Sequence, residues 1–119
     1  MVRNILVVDD TPTELNRMEK LLSGAGYQVM TATNGRLALE AVKRAKPDCI
    51  FMDVNMPEMD GFAATRALRN DAETKDIPVV LVSVKNQKAD KAWGQMLGAK
   101  GYITKPYEDS EVLTMVRSL

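Results

Sequence analysis

Along this chain short runs of contiguous apolar residues give way, five times over, to amphipathic stretches. Contiguous apolar residues suit a strand covered on both faces, whereas apolar residues spaced at 3.6 suit a helix with one face on a core. A chain that keeps exchanging the two periods has few solutions, and the simplest is a parallel sheet whose crossover helices cover both sides. The runs are Ile5-Leu6-Val7-Val8, Val29-Met30-Thr31-Ala32, Cys49-Ile50-Phe51-Met52, Val79-Val80-Leu81-Val82 and Gly101-Tyr102-Ile103. The first, third and fourth are apolar throughout, which places them in the middle of the sheet.

The helices between them have readable ends. Thr11-Pro12-Thr13-Glu14 has capping-box spacing, with Thr11 as N-cap, Pro12 in the first helical position and Glu14 reaching back. Leu15, Met18, Leu21 and Leu22 then share one face, and Gly24 or Gly26 stops the helix. Asn34 caps a second helix that buries Leu37, Ala38, Ala41, Val42 and Ala45 and ends at Pro47. A third is predicted over Phe62–Arg69, and a fourth over Lys88–Leu97 with Gly98 as its stop. Asp109 or Ser110 caps a fifth, which buries Val112, Leu113 and Val116. With no repeat, linker or low-complexity segment, the 119 residues read as one α/β domain of five βα units spanning 1–119.

Composition excludes several chemistries. There is no histidine, so a Ser/His/Asp triad, a Cys/His pair, a histidine metal site and a phosphohistidine are all ruled out within this chain. The single cysteine, Cys49, has no partner for a disulfide and lies in an apolar run, where it reads as a small buried hydrophobe suited to a reducing cytoplasm. Sixteen basic residues balance 16 acidic ones, which leaves no basic field for nucleic acid. The first apolar run is too short for a signal peptide or a membrane span.

The polar residues follow the strands. Asp9 and Asp10 come after the first run, Asp53 after the third, Ser83 after the fourth and Lys105 after the fifth. In an open parallel sheet the carboxyl ends of the strands make one edge, where ligands bind at the switch in strand order. If the order is 2-1-3-4-5, strands one and three are neighbours and Asp9, Asp10 and Asp53 converge. Three close carboxylates repel, and a proton or a divalent cation must relieve them. Donors that are all oxygen, with no His or Cys, select a hard ion, Mg²⁺ above all. Carboxylate-held Mg²⁺ beside a free oxygen nucleophile suits phosphoryl transfer, with Lys105 as a mobile cation and Ser83 as a hydroxyl donor. An Asp-Asp pair after a strand is ordinarily turn or capping chemistry. Thr11 already fills the cap here, which turns the reading toward a site.

Asp9-Asp10, Asp53 with Met56-Pro57-Glu58-Met59-Asp60-Gly61, Ser83 and Lys105-Pro106, in this order and spacing, resemble the receiver domain of bacterial two-component response regulators, a CheY-like, flavodoxin-like doubly wound (βα)5 fold. The resemblance covers essentially the whole chain and implies a role for each residue. Asp53 would accept a phosphoryl group from the phosphohistidine of a sensor histidine kinase (CheA-like) or a phosphotransfer protein. Asp10, Asp53 and the carbonyl of Asn55 would ligate Mg²⁺, with Asp9 acting through water. Lys105 would contact the phosphoryl oxygens, its bond to Pro106 would be cis, and Gly61 would permit the backbone turn after the phosphorylation loop. Ser83 and Tyr102 would form the switch, which alters a protein-binding surface of helix four, strand five and helix five. Such a chain is a signalling protein, not an enzyme beyond its own phosphorylation and dephosphorylation, and acts as a monomer or weak dimer on a downstream protein.

One residue departs from the family's pattern. Val84 follows Ser83 where a small residue is usual and an incoming phosphodonor needs room, which bears on the speed of phosphorylation and dephosphorylation more than on their occurrence. Asn55 and Lys85 flank the site where they would tune the lifetime of the phosphoryl group. The stretch Lys85–Gly94, with Asp71-Ala72-Glu73-Thr74, is similar to single-domain regulators of twitching motility of the PilH type. Trp93 would then lie on the partner-binding helix. Two other readings compete: a docking module or phosphate sink, and a small aspartyl-phosphate phosphatase. The phosphatase is disfavoured because Asp53-Val54-Asn55 lacks a second acid and the candidate nucleophile follows the third strand instead of the first.

Overall fold

The computed structural model describes every residue, Met1–Leu119. Its elements are β1 (Asn4–Val8), α1 (Pro12–Gly24), β2 (Gln28–Ala32), α2 (Gly35–Ala45), β3 (Cys49–Asp53), α3 (Gly61–Arg69), β4 (Val79–Ser83), α4 (Lys88–Met96), β5 (Gly101–Thr104) and α5 (Asp109–Ser118). All strand pairs are parallel, in the order β2-β1-β3-β4-β5. The three continuously apolar runs therefore occupy the centre, as their composition demands.

Alternation along each strand divides the core into two layers. Leu6, Val8, Ile50, Met52, Val79 and Leu81 meet Ala38, Ala41 and Val42 of α2 and Ala64 and Leu68 of α3. Ile5, Val7, Cys49, Phe51, Val80 and Val82 meet Met18 and Leu22 of α1 and Val112 and Val116 of α5. Each large side chain buried this way contributes roughly 1.5–3 kcal/mol. No helix is long and apolar enough to cross a membrane.

Capping differs from expectation at two helices. Thr11 is the N-cap of α1 with Pro12 behind it, but its side chain makes no capping bond. Instead Asp9 Oδ1 accepts from the Thr11 amide at 2.9 Å, the short-range turn bond that an Asp makes readily. At α5 the N-cap is Glu108, ahead of Asp109 and Ser110, because Glu111 reaches back to accept the Glu108 amide at 3.3 Å. Asn34 caps α2 as predicted, its Oδ1 accepting from Leu37 N. Gly26 and Gly98 follow α1 and α4 with φ of 99° and 100°, a backbone region that glycine enters without strain.

Candidate functional site at the carboxyl edge of the sheet

With β1 and β3 adjacent, Asp9 and Asp10 arrive beside Asp53. One carboxylate oxygen from each of the three lies within 4.8 Å of the others. Asp9 and Asp53 are buried and Asp10 is exposed. Lys105, from the loop after β5, donates to Asp9 Oδ2 at 2.7 Å and stands 3.6 Å from Asp53 Oδ2. The Lys105–Pro106 peptide bond is cis.

The three carboxylates are engaged unequally. Both oxygens of Asp9 are in use, one by the Thr11 amide and one by Lys105. Asp53 accepts from the Val54 amide at 2.8 Å through Oδ1. Asp10 accepts no hydrogen bond, and neither does the Asn55 main-chain carbonyl, while the Asn55 side chain is exposed. Burial raises the Asp53 carboxyl above its ordinary range, the charge of Lys105 works against this, and the charges of Asp9 and Asp10 add to it. For Lys105 burial is the largest influence and favours the neutral amine. The bond to Asp9 and the charges of Asp53, Asp9 and Glu14 together outweigh it, so the ammonium is held more firmly than usual. An oxygen-only donor set with surplus negative charge, brought together by Asp9, Asp10 and Asp53, fits a hard divalent cation.

The loop from Met56 to Gly61 is shaped by close backbone packing. The Gly61 amide donates to the Val54 carbonyl at 2.8 Å. A Cβ on Gly61 would come within 2.9 Å of Val54 Cα and nearer still to the Asp53 carbonyl oxygen. Gly61 is thus required by proximity and not by a left-handed turn, and the positive φ in this loop belongs to Glu58, at 67°. Glu58 accepts from Asn34 Nδ2 at 2.8 Å and stands 3.6 Å from Arg36 Nε, which pins the loop to the start of α2.

Ser83 and Tyr102 lie on the next two strands. Ser83 is fully buried at the end of β4, directly after Val82, which pairs with Asp53. Its hydroxyl accepts from the Lys85 amide at 3.1 Å, and the Lys85 carbonyl accepts from the Tyr102 hydroxyl at 2.7 Å. Burial shifts the Tyr102 phenol upward, with Ser83 opposing. Val84 is exposed beside this pair.

Two neighbours of the site were given other roles or none by the sequence. Glu14 joins Asp9, Asp53, Lys105, Met18 and Tyr107 around a cavity of about 10 Å³ beneath the carboxylates. Capping-box spacing masked it. Tyr107 is 5% exposed, with Arg17 stacked 4.3 Å from its ring centroid and bonded to its carbonyl. No motif marks Tyr107, although its place two residues after Lys105 is a usable signal.

The family model for the response regulator receiver domain matches residues 5–117. The chain belongs to the response regulator receiver family. This receiver is 43% identical over 115 residues to protein PilH of Pseudomonas aeruginosa, covering 97% of this chain and 95% of that protein. It superposes on chemotaxis protein CheY4 of Vibrio cholerae with a TM-score of 0.92 at 32% identity, covering 99% and 98% of the two chains. It also matches the receiver domain of sensor histidine kinase PA1611 of P. aeruginosa, whose structure has a magnesium ion coordinated in the active-site cleft. That match has a TM-score of 0.90 at 26% identity and covers 99% and 97%.

Proposed function

We propose that residues 1–119 form one receiver domain in which Asp53 accepts a phosphoryl group from a phosphohistidine on a partner histidine kinase or phosphotransfer protein. The reading is carried by the convergence of Asp53 with Asp9, Asp10 and Lys105 on one sheet edge. An Asp53 carboxylate oxygen attacks phosphorus, an O–P bond forms as the P–N bond breaks, and the bonding pair leaves on the imidazole, which takes up a proton. Asp10, Asp53 and the Asn55 carbonyl would hold Mg²⁺, with Asp9 acting through water, and the ion would supply charge neutralisation for that transfer. The full engagement of Asp9 and the free oxygens of Asp10 and Asn55 support this division.

Lys105 stands close enough to Asp53 to pair with a phosphoryl oxygen placed there. The hydrogen-bonded series Ser83–Lys85–Tyr102 supports the switch. Drawing the Ser83 hydroxyl toward a phosphoryl oxygen removes the acceptor of the Lys85 amide and loosens the loop that holds Tyr102, altering the surface of α4, β5 and α5. Val84, Asn55 and Lys85 are all exposed around the site, where they set the rate of phosphoryl entry and loss. The likeness to PilH supports a place in pilus-based or chemotactic motility, downstream of a CheA-like kinase in the cytoplasm.

Incubation with Mg²⁺ and acetyl phosphate tests the assignment. Wild type incorporates one phosphoryl group, Asp53→Asn none, and chelation of Mg²⁺ abolishes labelling. Incorporation in the variant, or none in wild type, would overturn it.

A further inference from the structure

Few large apolar side chains stand in water in this protein, and two of them are one turn apart on α4: Trp93, 42% exposed, and Met96, 77% exposed. They line a groove of about 350 Å³ between the C-terminal ends of α3 and α4, together with Arg66, Arg69, Leu97 and Gly98. The groove lies on the side of α4 turned toward α3, at the end of the sheet opposite Asp53. We propose that it docks an acidic segment of a partner protein that inserts an aromatic or long aliphatic side chain against Trp93 and Met96.

Charge identifies the occupant. No carboxylate lines the groove, and none of the protein's ion pairs involves Arg66 or Arg69. Arg69 is already ordered, with Nη1 donating to the Lys75 carbonyl at 2.5 Å and its shaft lying over Gly98, where a Cβ would collide with it. A guanidinium held in place binds a carboxylate with little further loss of side-chain freedom. Arginines near a helix C-terminus also answer the helix dipole. That accounts for their charge, but not for a bare Trp and Met beside them, and this pairing of aromatic and Arg is the composition of interface anchors. A second copy of the chain fits poorly, since a two-fold contact through this patch sets its arginines against each other. The chain as a whole has no net charge, so the attraction is local to the groove.

Trp93 is the only tryptophan, so its emission reports on the groove directly. The test selects binders to the full chain from a random dodecapeptide library displayed on phage, then titrates synthetic versions of them against wild type, Arg66→Glu and Met96→Glu. Both substitutions are at exposed positions, and circular dichroism verifies the fold. The expected binders carry Asp or Glu around a Phe, Trp or Leu. They shift Trp93 emission saturably, weaken with added salt, and lose roughly tenfold or more in affinity on either variant. The proposal is overturned if no binder that discriminates Arg66→Glu is recovered, if selected peptides are neutral or basic, or if Trp93 emission is unchanged on binding. It is also overturned if the chain alone dimerises with a concentration-dependent shift of that emission, which would make the groove a self-interface.

Discussion

Asp53 is 8% exposed and shares its surroundings with Asp9 and Asp10, so burial and two like charges oppose its ionised form while Lys105 offsets only part of that cost. Its carboxyl is therefore raised above the ordinary 3.8. A raised carboxyl stabilises the fold below the unfolded value and loses that contribution as pH rises through the folded one. At neutral pH without Mg²⁺, Asp53→Asn is expected to be more stable than wild type by about 1 kcal/mol. Urea denaturation checks this, and the gap should close as pH falls toward the carboxylate range. Mg²⁺ should stabilise wild type more than the variant. At this scale the sequence disclosed the acids, Ser83 and Lys105 because each follows a strand. It did not disclose how they divide the work. Asp9 serves both a turn bond to Thr11 and an ion pair to Lys105, and such double duty depends on side-chain direction, which residue spacing leaves open.

Helices and strands were legible to within a residue or two, since five changes of hydrophobic period allow little else. Their ends were less so, because a cap is decided among several nearby donors and acceptors: Glu108 prevailed over Asp109 and Ser110 once Glu111 reached its amide. Gly94 shows why a glycine persists within a helix. In α4 it costs up to about 1 kcal/mol relative to Ala, yet a Cβ there would come within 2.9 Å of Leu81 Cδ1 and 3.5 Å of Tyr102 Cδ2. Leu81 is fully buried and has little room to yield. Gly94→Ala is therefore expected to destabilise by about 1 kcal/mol, because overpacking exceeds the gain in propensity. Gly24, at the end of α1, has nothing within 4 Å of its Cβ direction. Gly24→Ala should be neutral or stabilising by up to about 1 kcal/mol. Opposite signs in paired chemical denaturation support this account, and a stabilised Gly94→Ala would show that α4 is free to move off the sheet.

The whole molecule is a central sheet with a layer of helices on each side, and its one thiol reports on whether that assembly is closed. Cys49 is fully buried on β3, between β1 and β4, under α1 and α5. Burial first, and the charge of Asp48 second, push its thiol from the ordinary 9.0 to about 12. Exposing a central strand requires separating layers, so a thiol reagent should reach Cys49 only through global unfolding. Its labelling under native conditions is expected to give the same free energy as urea denaturation. Faster labelling would reveal a local opening of β3. The same burial fixes the sign of an alkaline effect. The unfolded thiol ionises near 9, whereas the folded one holds its proton until about 12. Stability should therefore fall as pH rises through that window, at up to about 1.4 kcal/mol per pH unit from this group alone. Cys49→Ala removes the ionisable group at the cost of a small cavity. It should start less stable at neutral pH and decline less steeply above about pH 9, so that parallel curves for the two proteins would rule out linkage through Cys49.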